Sequence, residues 1–281
     1  MKRKPSQPHT LYTPEVRAAV LAHYERAVDF IAANFALAPV EAIEYYPGPG
    51  GRPEFTASLH HPVPDTIPTV EIGEFGHTKR YIAIAPNSLL WLVHRNAIGF
   101  ASWTPSPRDP ESVGFGRVII SAKYGATTDD LESAMLGVQS VLRERHVECI
   151  PVLGGDITAA LFIPFGDTPT YEAVRTWLHE VADAAAARRP DLFTTEMDPP
   201  ERRLVHICVA TNAVGRISAL PYTLAGNTAL EMVTPIEWAE LGKVRNGAVT
   251  ARNSADRLAM GDIFGRLANE LAGQPFAETR R

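Results

Sequence analysis

RVIISAKYGATTDDLESAMLGVQSVLRERHVECIPVLGGDITAALFIPF, residues 117–165, is the stretch that decides the fold class. Its first apolar run predicts a strand over 117–122. Thr127 then opens a helix, with Asp129 and Asp130 in the first turn, where carboxylates favour the helix dipole. The buried stripe of this helix recurs at helical spacing: Leu131, Met135, Val138 and Leu142. Two further apolar runs, 148–152 and 159–165, flank LGGD and predict a strand pair.

The segments around this stretch also mix helices and strands. Thr13-Pro14 is an N-cap followed by proline at the first helical position, and predicts a helix of about twenty residues. Short runs punctuated by Pro, Gly, His and Asp predict a meander of antiparallel strands at 40–46, 55–59, 69–74 and 80–84, with PGPGG at 47–51 as its clearest turn. Further helices are predicted at 88–95, 170–188, 235–241 and 254–271, and further strands at 99–103, 204–210 and 217–223.

The order of these elements lacks the strict βαβ alternation of a parallel sheet, so we predict an α+β fold of mixed antiparallel sheets flanked by helices. One domain is predicted over residues 13–271, between a flexible lead (1–12) and a tail (272–281). Within the domain we distinguish a meander subregion (13–104), a core subregion (116–241) and a C-terminal helix (254–271).

Composition excludes several classes of protein. Of the 281 residues, 45% are hydrophobic, which is enough for a substantial core and excludes a disordered chain. No apolar run approaches the ~18 residues of a membrane span, and the basic start MKRKPS leads into no apolar stretch, so a cytoplasmic protein with no membrane partner is expected. Two cysteines, Cys149 and Cys208, cannot build a disulfide framework. The net charge of −5 lowers the expectation of tight, sequence-independent DNA binding.

Common catalytic motifs are missing from the sequence. GPGG at 48–51 lacks the Lys-Ser/Thr ending of a phosphate loop and precedes a strand, so it is interpreted as a hairpin turn. The sequence also has no G-x-S-x-G elbow. His206 and Cys208 could share one strand face as a weak soft-metal pair, but a thiol within an apolar strand is typically inert.

The sequence as a whole resembles a known family. The stretches that carry the likeness are PEF (53–55), IPTV (67–70), LWLV (90–93), IGFASW (98–103), VATN (209–212), LPYTL (220–224), VTPIEWAE (233–240) and RLAMGD (257–262). In order and spacing they resemble the polymerase domain of bacterial DNA ligase D, a member of the archaeo-eukaryotic primase superfamily that acts in non-homologous end joining. The likeness runs from about Pro14 to Leu267 and implies a primase-polymerase fold.

The resemblance also implies two-metal nucleotidyl transfer, with Mg²⁺ or Mn²⁺ held by three aspartates. An Asp-x-Asp pair of the family corresponds to Ser121 and Lys123 here, and the third aspartate corresponds to Cys208. Because an ammonium group repels a cation, Lys123 is worse than a neutral replacement. We therefore predict no metal cofactor.

The nucleotide contacts that the resemblance implies are also replaced. The family's Ser-Gly-x-Lys-Gly-x-His signature corresponds to GGDITAA at 154–160, in which Ile157 replaces the lysine and Ala160 the histidine. Three further positions differ: Ala225 replaces an arginine that meets phosphates, Val233 a serine and Ala101 a histidine. The sequence therefore predicts a catalytically degenerate homologue.

Three functions remain open at this point. The first is a repair accessory that binds DNA ends or end-joining proteins such as a ligase or a Ku-like protein; its candidate DNA-binding residues are Arg17, Tyr45, Phe55, Lys79, Arg80 and Asn212. Glu44 would oppose phosphate there, and the two aromatic residues are more often core than base-stacking residues. The second is a protein-interaction pseudoenzyme without DNA affinity. The third is an enzyme with new chemistry in the former cleft, using Lys123, Cys208 or His206.

Overall fold

The computed structural model describes residues 12–56, 63–74, 77–106, 109–122, 125–196 and 204–276. Lys123, His60-His61, most of the lead and the last five residues of the tail lie outside these ranges, as does part of the strand predicted at 55–59. No helix in the described ranges is long and apolar enough to cross a membrane.

Helices and short strands are interspersed along the described residues. The helices are α1 (Pro14–Phe35), α2 (Pro86–His94), α3 (Thr128–Glu144), α4 (Tyr171–Arg188), α5 (Ser254–Ala259) and α6 (Ile263–Leu271). The strands are β1 (Glu41–Tyr46), β2 (Arg52–Thr56), β3 (Thr69–Glu74), β4 (His77–Ile82), β5 (Gly99–Ser102), β6 (Pro105–Ser106), β7 (Asp109–Val113), β8 (Phe115–Ser121), β9 (Ile150–Gly155), β10 (Thr158–Pro164), β11 (Phe193–Thr194), β12 (Val205–Cys208), β13 (Ser218–Ala219) and β14 (Thr234–Pro235).

The largest sheet has six strands in the order β11-β12-β8-β10-β9-β14. A second sheet has the order β13-β5-β1-β2, and β3-β4 and β6-β7 form two-stranded sheets. Apart from the β11–β12 pair, the strands of the large sheet pair antiparallel. This arrangement confirms the predicted α+β class.

Two hydrophobic clusters lie on opposite faces of the large sheet. Val118 and Ile120 of β8 pack on one face with buried residues of α3 and α4. Val152 and Phe162 contribute to the other cluster, with buried residues of α1, α2 and β5. Because side chains alternate along a strand, β8 supplies both faces, and its half-buried Ile119 and Ser121 point away from α3 and α4.

Local signals predicted several elements correctly. Thr13 caps α1 through its side chain, and Pro14 is the first helical residue. Thr127 and Asp130 form a reciprocal capping box at the start of α3. The predicted strand pair is β9 and β10, joined by a turn at Asp156 and Ile157.

Other predictions were wrong where tertiary pairing overrides the local pattern. The meander is two separate hairpins, because β1 pairs with β2 and β5 while β3 pairs only with β4 among the described strands. The helix predicted at 254–271 is interrupted: Gly261 has a φ of +88°, and the Asp262 side chain caps α6 by accepting from Gly265 N.

Two predictions between 217 and 241 also need correction. The helix predicted at 235–241 begins as strand β14, paired with β9, and only Trp238–Glu240 forms a 3₁₀ turn. The strand predicted at 217–223 is limited to Ser218–Ala219, since Tyr222 has a positive φ of 67° that ends extended pairing.

Candidate functional site

Strands β8, β10 and β12 bring three of the predicted site residues onto one face. Ser121 lies opposite Thr158 of β10 and His206 of β12. Ile119 lies opposite Ala160 and Cys208 on the same two strands. Paired residues of neighbouring strands point to the same side of a sheet, so Ser121, Ala160 and Cys208 share the face that is turned away from α3 and α4.

The chemistry of this face does not fit a hard divalent cation. Its side chains offer the Ser121 hydroxyl, the Cys208 thiol and the His206 imidazole, whereas Mg²⁺ and Mn²⁺ favour carboxylate oxygens. Within the described residues, no group of three or more His, Cys, Asp or Glu side chains could hold a metal ion. His206 and Cys208 do share the half-buried side of β12, as predicted.

A strained turn joins β9 to β10 beside this face. Asp156 and Ile157 both have positive φ values, 47° and 55°. The backbone N–H of Asp156 donates to Glu231 Oε2 at 3.0 Å, and Thr158 Oγ1 donates to Gly155 O at 2.7 Å. Ile157 leaves its side chain 38% exposed, so the turn presents an apolar group where the resemblance implied a lysine.

The other predicted nucleotide positions lie near this turn or in the core. A Cβ built on Gly155 would lie 3.4 Å from the Cβ of Ala225, so Ala225 lies beside the turn. Val233 is buried in the hydrophobic cluster shared with α1, and its N–H donates to Thr223 O at 2.8 Å. Ala101 is buried on β5. None of these three residues offers a polar side chain to a phosphate.

Two DNA-binding candidates line one small concavity. Arg17 and Tyr45 surround it together with Tyr12, Glu44 and Asn96. Arg17 Nη2 donates to Asn96 Oδ1 at 2.7 Å, and its guanidinium carbon lies 5.1 Å from the centroid of the Tyr12 ring. The concavity therefore holds an exposed arginine in a defined position, with a carboxylate beside it.

Tyr45 is used mainly for packing. A Cβ built on Gly226 would lie only 1.9 Å from the Tyr45 ring, so the ring rests directly against that glycine. Burial raises the pKa of the Tyr45 hydroxyl above its usual value. The ring is therefore partly enclosed, which limits its use as a base-stacking surface.

The remaining exposed candidates are not gathered at this concavity. Phe55 lies on β2 and is 55% exposed. Lys79 and Arg80 are exposed on β4, in a different sheet. Lys79 Nζ lies 4.7 Å from the centroid of the Tyr81 ring, and Arg80 Nε donates to Thr69 Oγ1 at 3.0 Å.

Asn212 is an interior residue, which corrects its place among the DNA-binding candidates. It is 1% exposed. Its Oδ1 accepts from Arg117 N at 2.8 Å, and its Nδ2 donates to Arg117 O and Val209 O, both at 2.7 Å. The side chain thus ties β8 to the loop after β12 and is not available to DNA.

Arg117 is a central residue that the sequence reasoning missed. It is fully buried, and its guanidinium donates to Ser102 O and Ser218 Oγ at 2.7 Å and to Trp103 O at 3.1 Å. Burial lowers the pKa of this guanidinium to about 10. The only sequence signal was an arginine adjoining the apolar run of a predicted core strand.

Known proteins resemble this chain over most of its length. The sequence profile of the LigD primase-polymerase domain matches residues 17–264. A solved structure described as the polymerase domain from Mycobacterium tuberculosis ligase D in complex with DNA superposes with a TM-score of 0.82 at 18% identity, covering 96% of this chain and 99% of the other. At that identity the superposition shows a shared fold. No curated protein matches the sequence significantly.

Proposed function

Since the chain belongs to the LigD primase-polymerase domain family, we propose that it is a catalytically degenerate member that binds DNA ends as an accessory of end joining. The proposed degeneracy rests on the face of β8 and β12. On this face Ser121 and Cys208 occupy two positions where the family resemblance implies metal-binding aspartates. A cytoplasmic location and an end-joining protein as partner are parts of the same proposal.

Loss of polymerisation follows from the charge of this face. Two-metal transfer needs carboxylates that both position the ions and offset their charge. A hydroxyl, a thiol and an imidazole provide neither the negative charge nor the oxygen ligands. The turn at Asp156 and Ile157 adds no cation from its own side chains that could hold a triphosphate.

The position of the Arg17 side chain supports DNA binding. Its guanidinium is held by Asn96 and Tyr12 and remains exposed, so little side-chain entropy is lost when it contacts a phosphate. Glu44 in the same concavity and the net charge of −5 both oppose the contact. We therefore expect weak binding with a clear salt dependence.

Fluorescence anisotropy with a labelled, 5′-phosphorylated gapped duplex tests this proposal. Wild-type binding should weaken steeply as salt rises, and Arg17→Gln should weaken binding and lower the slope of log K against log [salt] by about 1. Arg189→Gln is the matched control, because Arg189, just after the end of α4, is already paired with Asp191 at 3.1 Å. Absence of wild-type binding at low salt would instead favour a protein-interaction pseudoenzyme.

Primer extension with Mg²⁺ or Mn²⁺ tests the degeneracy separately. The wild-type protein should add no nucleotide to a gapped primer, and template-dependent extension would contradict the proposal.

A second candidate function, new chemistry in the old cleft, rests on Cys208 and His206 sharing the half-buried side of β12. A thiol activated by its surroundings reacts with iodoacetamide faster than a free thiol does, whereas an inert Cys208 reacts more slowly. Mass spectrometry of the alkylated protein distinguishes Cys208 from the fully buried Cys149, whose pKa is raised by burial.

A further inference from the structure

The carboxylate of Glu231 lies in a cradle made largely of backbone. Its Oε2 accepts from the N–H of Asp156 at 3.0 Å. A Cβ built on Gly155 would lie 2.7 Å from Oε2, and one built on Gly247 would lie 2.6 Å from Oε1. Both glycines have positive φ, 75° and 80°, a backbone conformation that disfavours a side chain at either position.

Hydrogen bonds to its main chain also fix the position of Glu231. Its N–H donates to Asn227 Oδ1 at 3.2 Å, and its carbonyl accepts from Ala225 N at 2.7 Å. Asn227 Nδ2 donates in turn to Asp156 Oδ1 at 3.1 Å. Asn227 therefore links Glu231 to the same turn that donates the Asp156 N–H to its carboxylate. The carboxylate is preorganised by these contacts.

A polar backbone pocket of this kind favours negative charge. Backbone N–H groups in turns of this kind form anion-binding sites, and here the N–H of Asp156 points to a carboxylate that lies against two glycines. Here the negative group comes from the chain itself. Asp156 adds a second carboxylate, and neither Ile157 nor Ala225 adds a positive charge. An incoming anion is therefore repelled by the two carboxylates, and the space is already filled by Glu231.

We infer that the cradle of Gly155, Asp156 N–H and Gly247 is an oxyanion site that this chain fills with its own Glu231 carboxylate. The inference rests on the proposed function, since it gives the reason why a phosphate group is kept away from the turn in a degenerate member of the family. The ligand class that the emptied cradle takes is a small phosphate-type oxyanion.

Calorimetric titration with inorganic pyrophosphate, without metal or DNA, tests the inference. Glu231→Ala empties the cradle and removes one negative charge, so it should bind pyrophosphate at least tenfold more tightly than the wild type. Glu231→Gln still fills the space, so its affinity should stay closer to that of the wild type than to that of Glu231→Ala. Glu270→Ala is the charge-matched control, since it removes an exposed carboxylate that is paired with Arg266 on α6, and should leave the affinity unchanged.

The second variant is Glu231→Ser, which empties most of the cradle but keeps a hydroxyl, and the same gain is expected if Glu231→Ala does not fold. Equal affinity of the wild type and the emptied variants overturns the inference. If the emptied variants gain affinity while the wild type extends primers, the proposed function fails and the occupancy of the cradle by Glu231 stands.

Discussion

Ile157 has a backbone conformation that its side chain disfavours. Its φ of +55° lies in the left-handed region, which costs an L-residue roughly 1–2 kcal/mol and a β-branched residue at least as much. The turn is kept in place by its neighbours, because Ile157 O accepts from Ala122 N at 3.0 Å and Asp156 N–H donates to Glu231.

Replacing Ile157 with glycine should therefore stabilise the protein. The relief of strain exceeds the added entropy of glycine in the unfolded chain, so Ile157→Gly should raise the free energy of unfolding by roughly 0.5–1 kcal/mol. Urea denaturation measures the change. Ile157→Ala is the control, since it removes the exposed side chain without gaining glycine's freedom, and it should show less gain. A lower stability of Ile157→Gly would mean that the turn is not strained.

His23 makes the stability depend on pH. It is 1% exposed on α1, and its Nε2 and Nδ1 lie 2.9 Å from Tyr222 O and Ser254 Oγ. Burial lowers the pKa of the imidazole from 6.5 to about 4. Between these values the unfolded chain binds the proton and the folded chain does not, so stability falls as the pH drops through this window.

The expected loss from His23 is on the order of 3 kcal/mol between pH 7 and pH 4. Urea denaturation at several pH values should show a steep decline for the wild type and a shallower one for His23→Gln, which has no group that titrates there. Equal slopes for the two proteins would show that other groups cause the acid sensitivity.

At the level of elements, Arg117 connects three strands. It lies on β8, and its guanidinium reaches Ser102 O of β5 and Ser218 Oγ of β13. These bonds join the six-stranded sheet to the four-stranded sheet. The acceptors are buried backbone or partly buried groups, and buried acceptors left without a donor are costly.

Arg117→Met should lower the free energy of unfolding by about 3 kcal/mol or more, because methionine fills part of the volume but leaves several acceptors unpaired. Arg143→Met is the control, since the ion pair of Arg143 with Glu148 is exposed and should contribute within about 0.5 kcal/mol. Chemical denaturation measures both. Similar stabilities of the two variants would indicate that Arg117 is dispensable for joining the sheets.

The accuracy of the sequence predictions differed between elements for a physical reason. Helices α1 and α3 carry their own N-caps and apolar stripes, so their signals are local. The β13 and β14 strands are two residues long and exist because other strands pair with them. No local pattern identifies such pairing in advance.

At the scale of the whole molecule, the proposed degeneracy involves two separate regions. The face of β8 and β12 lacks carboxylates at Ser121 and Cys208, and the turn between β9 and β10 lacks a cation and is occupied by Glu231. Restoring one region should therefore not restore activity.

The double variant Ser121→Asp, Lys123→Asp is expected to show no primer extension with Mn²⁺, because the phosphate contacts are still missing. A primer-extension assay beside an active domain of the same family measures this. Mn²⁺-dependent extension by the double variant would contradict our account of the nucleotide site.

The sequence by itself determined the α+β class and the likeness to the ligase D polymerase domain, because these depend on residue identity and on periodicity along the chain. The tertiary structure decided which residues far apart in the sequence come into contact. It buried Asn212 against Arg117, held Arg17 against Asn96 and seated Glu231 on the amide of Asp156. Each of these contacts joins positions more than seventy residues apart, where the geometry is set by sheet register and packing rather than by local propensity.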